Sequence, residues 1–167
     1  MAMMNVGKAL DFILDVQKSQ AESFAKIAEQ SDLQDVRETA HCLANHYKHL
    51  VRSLENLPAE QYKVIRKATI PFGPQLSDFQ NVFHKYSPDS SSVKKMISGA
   101  LALNEQIAEL CKNISQQDLL PDICELFENL AKLEKIDEYQ IAKIGSCQVK
   151  GSPESYIRTF STEDEKN

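Results

Sequence analysis

Apolar residues recur every three to four positions along most of the chain, which is the spacing of amphipathic α-helices, and no run alternates as a half-buried strand does. With only five glycines in 167 residues, this pattern predicts an all-α fold with four long helices. The first is expected to begin after the capping residue Asn5 and to run to about Gln30. The second is expected to begin at Asp32 and to end before Pro58.

The second half of the chain predicts another helical pair. Ser90 or Ser91 is expected to cap the third helix, and Pro121 lies in the first turn of the fourth. Two helical hairpins with short internal turns, joined by one long connection, favour a ferritin-like four-helix bundle over a simple up-and-down bundle.

The long connection covers about residues 57–90 and contains four of the six prolines. A short helix is expected within it at about 76–86. The domain prediction is a bundle over residues 1–147 that includes this crossover, followed by a polar C-terminal tail at 148–167.

The two predicted hairpins resemble each other. A shift of 87 residues, the separation of Lys18 and Glu105, superimposes them and keeps the apolar stripes in phase. The matched apolar pairs are Leu14 with Leu101, Ala21 with Ala108, Ile27 with Ile114, Val36 with Ile123, Leu43 with Leu130, and Leu54 with Ile141. This agreement indicates a duplicated helical hairpin.

The two hairpins differ in charge where their apolar stripes coincide. Positions 123, 127, 130, 134, 137, 141 and 144 form one seam of the fourth helix, and two of them are Glu134 and Asp137. The second helix has Tyr47 and Leu50 at the equivalent places. The second hairpin is therefore expected to carry inward-facing carboxylates that the first lacks.

The stretches "AESFAKIAEQSDLQDVRETAHCLANHYKHL" and "ALALNEQIAELCKNIS…ELFENLAKLEKIDEYQIAKI" resemble the rubrerythrin-like branch of the ferritin-like superfamily. That family places a Glu on each of two helices and a Glu-x-x-His on each of the other two, around a pair of irons. The resemblance implies metal glutamates at Glu105 and Glu134, with Asp137 in the place of a histidine. In the first hairpin, Lys18, Tyr47 and Leu50 occupy the equivalent places, so the implied two-iron site is degenerate. The resemblance therefore implies fewer metal ligands than a two-iron site requires.

Buried carboxylates need partners, because an unpaired ionised group is costly in the core. The favoured interpretation is an internal cluster in which the Lys18 ammonium and the Tyr47 hydroxyl satisfy Glu105, Glu134 and Asp137, with no cofactor. The alternative is an iron or zinc site on the same three acids, which would make the protein a metal-dependent oxidase or peroxidase.

The stretch "ETAHCLANHYKHL" at residues 38–50 offers a second metal candidate. Cys42, His46 and His49 follow one another at helical spacing and are ligand types that zinc prefers, with a fourth ligand needed from elsewhere. The literal Glu38-x-x-His41 motif lies on a face of polar residues, so it is not expected to point into a bundle.

The same stretch also resembles the active segment of histidine phosphotransfer domains, which are four-helix bundles. The segment "AHCL" would make His41 the phosphate acceptor. The lysine and glycine that follow in that family are replaced by Ala44 and Asn45. A phosphotransfer protein using His41 is the third functional hypothesis, although the charge that would stabilise the phosphoryl group is absent from those places.

Charge and composition narrow the classes of partner. The net charge of −5 and pI near 5.4 argue against a nucleic-acid partner, and no apolar run is long enough for a membrane span. The four cysteines form no CxxC pair, and the N-terminal sequence lacks the features of a secretion signal. A cytoplasmic protein is expected, and the resemblance implies a homodimer. The leading functional expectation is a binding or assembly role rather than an enzyme.

Overall fold

The computed structural model describes residues 3–71, 81, 83 and 87–150. The described part is mainly helical, which confirms the all-α expectation. The helices are α1 (Val6–Gln30), α2 (Gln34–Glu55), α3 (Ala59–Lys67), α4 (Val93–Ser115) and α5 (Pro121–Lys150), and the strands are β1 (Met3–Asn5) and β2 (Thr69–Pro71). None of these helices is both long enough and apolar enough to cross a membrane. The predicted helix at 76–86 lies outside the described residues except at 81 and 83, and so does the tail beyond residue 150.

The helix starts follow local capping chemistry. The Asn5 side chain accepts a hydrogen bond from the Gly7 amide at 2.8 Å and caps α1, as predicted. Ser92, rather than Ser90 or Ser91, caps α4 by accepting from the Lys95 amide at 3.1 Å. The second helix begins two residues later than predicted, at Gln34.

Three short elements were not predicted: β1 near the N-terminus, and α3 and β2 inside the predicted crossover. The β1 and β2 strands pair antiparallel, with Met4 opposite Ile70, and the Asn5 side-chain amide donates to the Arg66 carbonyl. These strands are too short to show an alternating pattern. Helix α3 has only nine residues and one buried residue, Ile65, so its apolar pattern is too short to repeat.

The directions of the helices follow from the two clusters that form the core. One cluster combines the first half of α1 and of α5 with the second half of α4 and the end of α2. Helices α1 and α5 therefore run in one direction, and α2 and α4 run in the other. Because α2 and α4 are parallel, the chain between them must return along the bundle, which is the reason for the long connection.

The internal repeat is visible in the helix bounds and in burial. A shift of 87 residues places the first residue of α1 on that of α4, and the first residue of α2 on that of α5. Buried pairs related by this shift are Ala21 with Ala108, Val36 with Ile123, and Leu54 with Ile141. The bundle therefore has approximate two-fold symmetry that exchanges the two hairpins.

Candidate functional site

Buried polar side chains divide the apolar core at the middle of the bundle. One apolar cluster contains Leu10 and Phe127, and the other contains Phe24 and Leu43. Between them, every long helix contributes polar groups, which we call the polar layer: Gln17 and Gln20 from α1, His46 and Tyr47 from α2, Asn104 from α4, and Glu134 and Asp137 from α5. Buried polar groups at one level of four helices are the strongest candidate for a functional site.

Two hydrogen bonds cross the polar layer from one hairpin to the other. The Gln17 amide Nε2 donates to Glu134 Oε1 at 2.9 Å, which links α1 to α5. The Tyr47 hydroxyl donates to Asn104 Oδ1 at 3.2 Å, which links α2 to α4. Gln17 and Asn104 are separated by 87 residues, and so are Tyr47 and Glu134. The two bonds are thus symmetry counterparts in which a phenol of one hairpin replaces a carboxyl group of the other.

Asp137 faces His46 across the boundary between α5 and α2. His46 Nε2 and Asp137 Oδ1 are 3.9 Å apart, which exceeds a hydrogen bond, and the two side chains are 10% and 9% exposed. Burial, with a smaller contribution from His49, lowers the pKa of His46 to about 4. Burial raises the pKa of Asp137 to about 7. Desolvation therefore favours the neutral form of both groups.

Glu134 is the most central acid of the layer. Burial, followed by the adjacent Asp137 carboxyl group, raises its pKa to about 8, and the hydrogen bond from Gln17 partly opposes that increase. A pKa of about 8 means that the carboxyl group is largely protonated at neutral pH.

The sequence prediction that Glu134 and Asp137 point inward is confirmed, but the predicted partners are not. Lys18 forms an ion pair with Glu55 at 3.0 Å, with both side chains 46% exposed, so its ammonium group does not neutralise the interior. Glu105 is exposed and lines a surface groove between α4 and α5. The expected cluster of three acids with Lys18 is therefore wrong in two of its members.

The predicted inward residues on α1 and α4 are each displaced by one position along the helix. The inward positions are Gln17 and Asn104, which immediately precede Lys18 and Glu105. Both continue the buried stripes of their helices, since Ile13 and Ala100 lie four residues before them. The buried stripes of α1 and α4 therefore predict inward positions at Gln17 and Asn104, where neutral amides replace the expected charges.

The histidine-rich stretch does not gather into one site. Cys42 is buried in an apolar cluster, His46 faces the polar layer, and His49 is exposed. His41 is exposed beside Asn45, with 3.4 Å between His41 Nε2 and Asn45 Nδ2. Within residues 3–71, 81, 83 and 87–150, no group of three or more His, Cys, Asp or Glu side chains is placed to hold a metal ion.

The polar layer also fails to fit a pair of irons. A ferritin-like two-iron site uses four carboxylates and two histidines. At the corresponding inward positions this chain has the amides of Gln17 and Asn104 and the phenol of Tyr47, and only Glu134 and Asp137 supply carboxyl groups. Two of these side chains are already joined by the Tyr47 to Asn104 hydrogen bond. Two divalent ions would therefore lack the negative charge that they need.

Comparison with known proteins adds no identification. No protein-family model, no curated protein and no solved structure matches this chain. The chemistry of the polar layer is therefore the basis on which a function is assigned.

Proposed function

We propose that this protein is a ferritin-like bundle in which two protons take the place of two irons, and that it serves in binding or assembly rather than in redox catalysis. The observation that carries the proposal is the balance of hydrogen-bond donors and acceptors in the polar layer. A layer that is complete with protons has no need of a metal.

Six buried atoms of the layer have no hydrogen-bond partner, and their chemistry depends on protonation. They are Gln17 Oε1, Gln20 Oε1, His46 Nε2, Asn104 Nδ2, Glu134 Oε2 and Asp137 Oδ2. If both acids are ionised and the imidazole presents a lone pair at Nε2, five acceptors face a single donor group. If both acids are protonated, three donors face three acceptors. Any bridging water supplies donors and acceptors equally, so it leaves this difference unchanged.

The pKa shifts of the buried groups agree with the count of hydrogen-bond donors and acceptors. Burial raises the pKa of Glu134 to about 8 and that of Asp137 to about 7, and lowers that of His46 to about 4. The uncharged form of each group is favoured because the described layer contains no cation that could compensate a carboxylate. Protonation thus supplies the neutrality that two metal ions supply in a two-iron site.

Loss of the metals removes the chemistry that they would carry, namely electron transfer and reaction with peroxide, and leaves the outer surfaces of the bundle as the functional parts. Self-association is the form of assembly that the resemblance suggests. On the outer face of α5, Leu133, Ile136 and Tyr139 are 51%, 54% and 69% exposed and lie at helical spacing. An apolar row of this kind fits a contact with a second copy.

Metal analysis tests the absence of two-iron chemistry. Protein purified from iron-supplemented cells is expected to contain far less than one iron per chain, and to show neither an oxo-bridge absorption band nor a loss of stability with a chelator. Two irons per chain with such a band would refute the proposal.

A conservative variant tests whether Glu134 is protonated. Glu134→Gln keeps an acceptor for Gln17 and replaces the carboxyl O–H by an amide N–H, so its stability at pH 7 is expected to lie within about 1 kcal/mol of wild type. Glu134→Ala, the matched control, removes both groups and is expected to cost about 2–4 kcal/mol. If the conservative variant is as damaging as the control, an ionised Glu134 is required and the proposal fails.

Light scattering tests self-association. A dimer is expected for wild type and a monomer for Ile136→Lys, whereas Asn45→Lys, which adds the same charge on an exposed face of α2, is expected to remain dimeric. A monomeric wild type would remove the dimer and leave binding to other partners as the proposed role.

A further inference from the structure

A groove lies where α3 meets the first turns of α5. Its volume is about 440 Å³, and its floor is apolar: Val64 and Ile65 come from α3, and Ile123 and Leu126 come from α5. Ile65 and Ile123 are buried and anchor the two helices to the core, whereas Val64 remains 41% exposed. The groove therefore presents apolar surface that the described part of the chain does not cover.

The charged groups that line this groove are all of one sign. Glu60 from α3 and Asp122 and Glu125 from α5 supply three carboxylates, while Gln61 and Asn129 are neutral. No described lysine or arginine is among its lining residues. The amide groups at the start of α5 offset part of the charge of Asp122, but a net negative charge remains. We call this feature the acidic groove.

The basic residues of α3 lie away from the acidic groove. The Arg66 guanidinium carbon is 5.8 Å from the centre of the Tyr62 ring, and its side-chain stem approaches Gly7 at the start of α1. Lys63 and Lys67 are exposed and are not among the lining residues. The carboxylates of the acidic groove are therefore not neutralised by their own helix.

We infer that the acidic groove binds a basic amphipathic helix of a partner protein. The apolar floor matches side chains that recur every three to four positions on one helix face, and the carboxylates match lysine or arginine beside that face. Helix α3 has nine residues, or about 13 Å of length, which suits two to three turns of a bound helix. Nucleic acids and anionic membrane surfaces are repelled by the same charges.

The acidic groove is an addition to the duplicated bundle. The repeat equivalents of Asp122 and Glu125 are Asp35 and Glu38 in the first turns of α2. Among the described residues, α3 has no separate counterpart after the second hairpin, since α5 continues to Lys150. The described helices therefore form these two walls at one end of the bundle. This inference rests on the proposed binding role and specifies its partner.

A fluorescence anisotropy titration tests the inference with the full chain. The probe is a labelled 14-residue peptide of leucine and lysine with leucine at helical spacing, titrated at physiological salt. The Glu60→Lys and Glu125→Lys double variant is expected to weaken binding at least about tenfold. The matched control, Glu22→Lys with Glu109→Lys, makes the same change in net charge on exposed faces of α1 and α4 and is expected to stay within about twofold. Circular dichroism confirms the helical fold of each protein.

A second peptide and a further variant distinguish binding in the acidic groove from non-specific electrostatic attraction. A peptide of the same composition with leucine spread around the helix is expected to bind at least about tenfold more weakly, since it has no apolar face for the floor. Val64→Ser is expected to weaken the original probe about threefold to tenfold. Equal losses in the two double variants, or equal binding of the two peptides, would overturn the inference.

Self-association through this groove is the remaining outcome. If wild type forms a dimer that the Glu60→Lys and Glu125→Lys variant abolishes, the occupant is a second copy and the assigned partner is wrong. Failure of peptide binding does not alter the iron content, so it is distinguishable from failure of the proposed function.

Discussion

The two hairpins share a pattern of burial but differ in the chemistry of their central positions. In the first hairpin, Gln17 and Tyr47 supply an amide and a phenol to the polar layer, whereas in the second, Asn104 and Glu134 supply an amide and an acid. The first hairpin donates both hydrogen bonds and the second accepts them, at 2.9 and 3.2 Å. Two helical hairpins can therefore share one pattern of burial while their central positions carry different polar groups.

The largest effect on stability is expected at Tyr47, whose aromatic ring fills the part of the polar layer that the first hairpin contributes. Tyr47 is fully buried and stacks on Phe24, with 5.7 Å between ring centres. Tyr47→Ala removes this packing and the bond to Asn104, so the free energy of unfolding should fall by about 3–5 kcal/mol. Tyr47→Phe keeps the ring and should cost about 1 kcal/mol. Denaturant unfolding measures both. Equal losses would show that the hydroxyl group, rather than the ring, dominates.

The second hairpin should make stability depend on pH. The folded pKa values of about 8 for Glu134 and about 7 for Asp137 lie above the ordinary values of 4.5 and 3.8 for these carboxyl groups in the unfolded chain. Between these limits the folded protein holds more protons than the unfolded chain, so this contribution to stability is complete below about pH 4 and is lost as the pH rises to about 8.

His46 opposes this trend only in acid. Its folded pKa of about 4 lies below the ordinary histidine value of 6.5, so its contribution to stability is lost as the pH falls from 6.5 to 4. The net expectation is a decrease in the free energy of unfolding on the order of 2–4 kcal/mol from pH 5 to pH 8, measured by denaturant titration. Glu134→Gln should remove most of that decrease, because His46 offsets much of the contribution of Asp137. Stability that rises with pH over this range would contradict a protonated layer.

The two amides provide a more even comparison. Gln17→Leu and Asn104→Leu each remove one cross-hairpin hydrogen bond, and each should cost about 1–3 kcal/mol because a polar partner remains buried. Gln17→Leu should be the more damaging at pH 8, since its partner Glu134 is partly ionised there. Unfolding curves at pH 5 and pH 8 measure the difference. A larger pH dependence for Asn104→Leu would reverse the assigned roles.

The smallest effect is expected at the residue that the sequence placed at the centre of the site. Lys18 pairs with Glu55 in solvent, where water and salt screen the attraction. Lys18→Gln should leave the denaturation midpoint unchanged within error at both pH values. A large change confined to high pH would show that the ammonium group does neutralise the interior.

Much of the fold could be predicted, because burial in a helix repeats with a fixed period. The approximate helix bounds, the repeat and the inward direction of Glu134 and Asp137 all follow from that period. The β1 and β2 pair and α3 could not be predicted in this way, since each is too short to repeat its pattern.

The candidate site was harder to predict than the fold. A rotation of one residue, 100° on a helix, separates the exposed Lys18 from the buried Gln17. Charged residues suggested an ion-pair cluster, although neutral amides fill the inward positions. The balance of donors and acceptors involves atoms from four helices, so it becomes countable only when those helices are placed together.

The two hydrogen bonds across the layer also fix how far one hairpin can slide along the other. A shift of one helical turn, about 5.4 Å, would carry Glu134 away from Gln17 and break the hydrogen bond between them. Apolar side chains alone tolerate such a shift, since one leucine resembles the next. The two hydrogen bonds therefore favour one axial alignment of the hairpins over its neighbours.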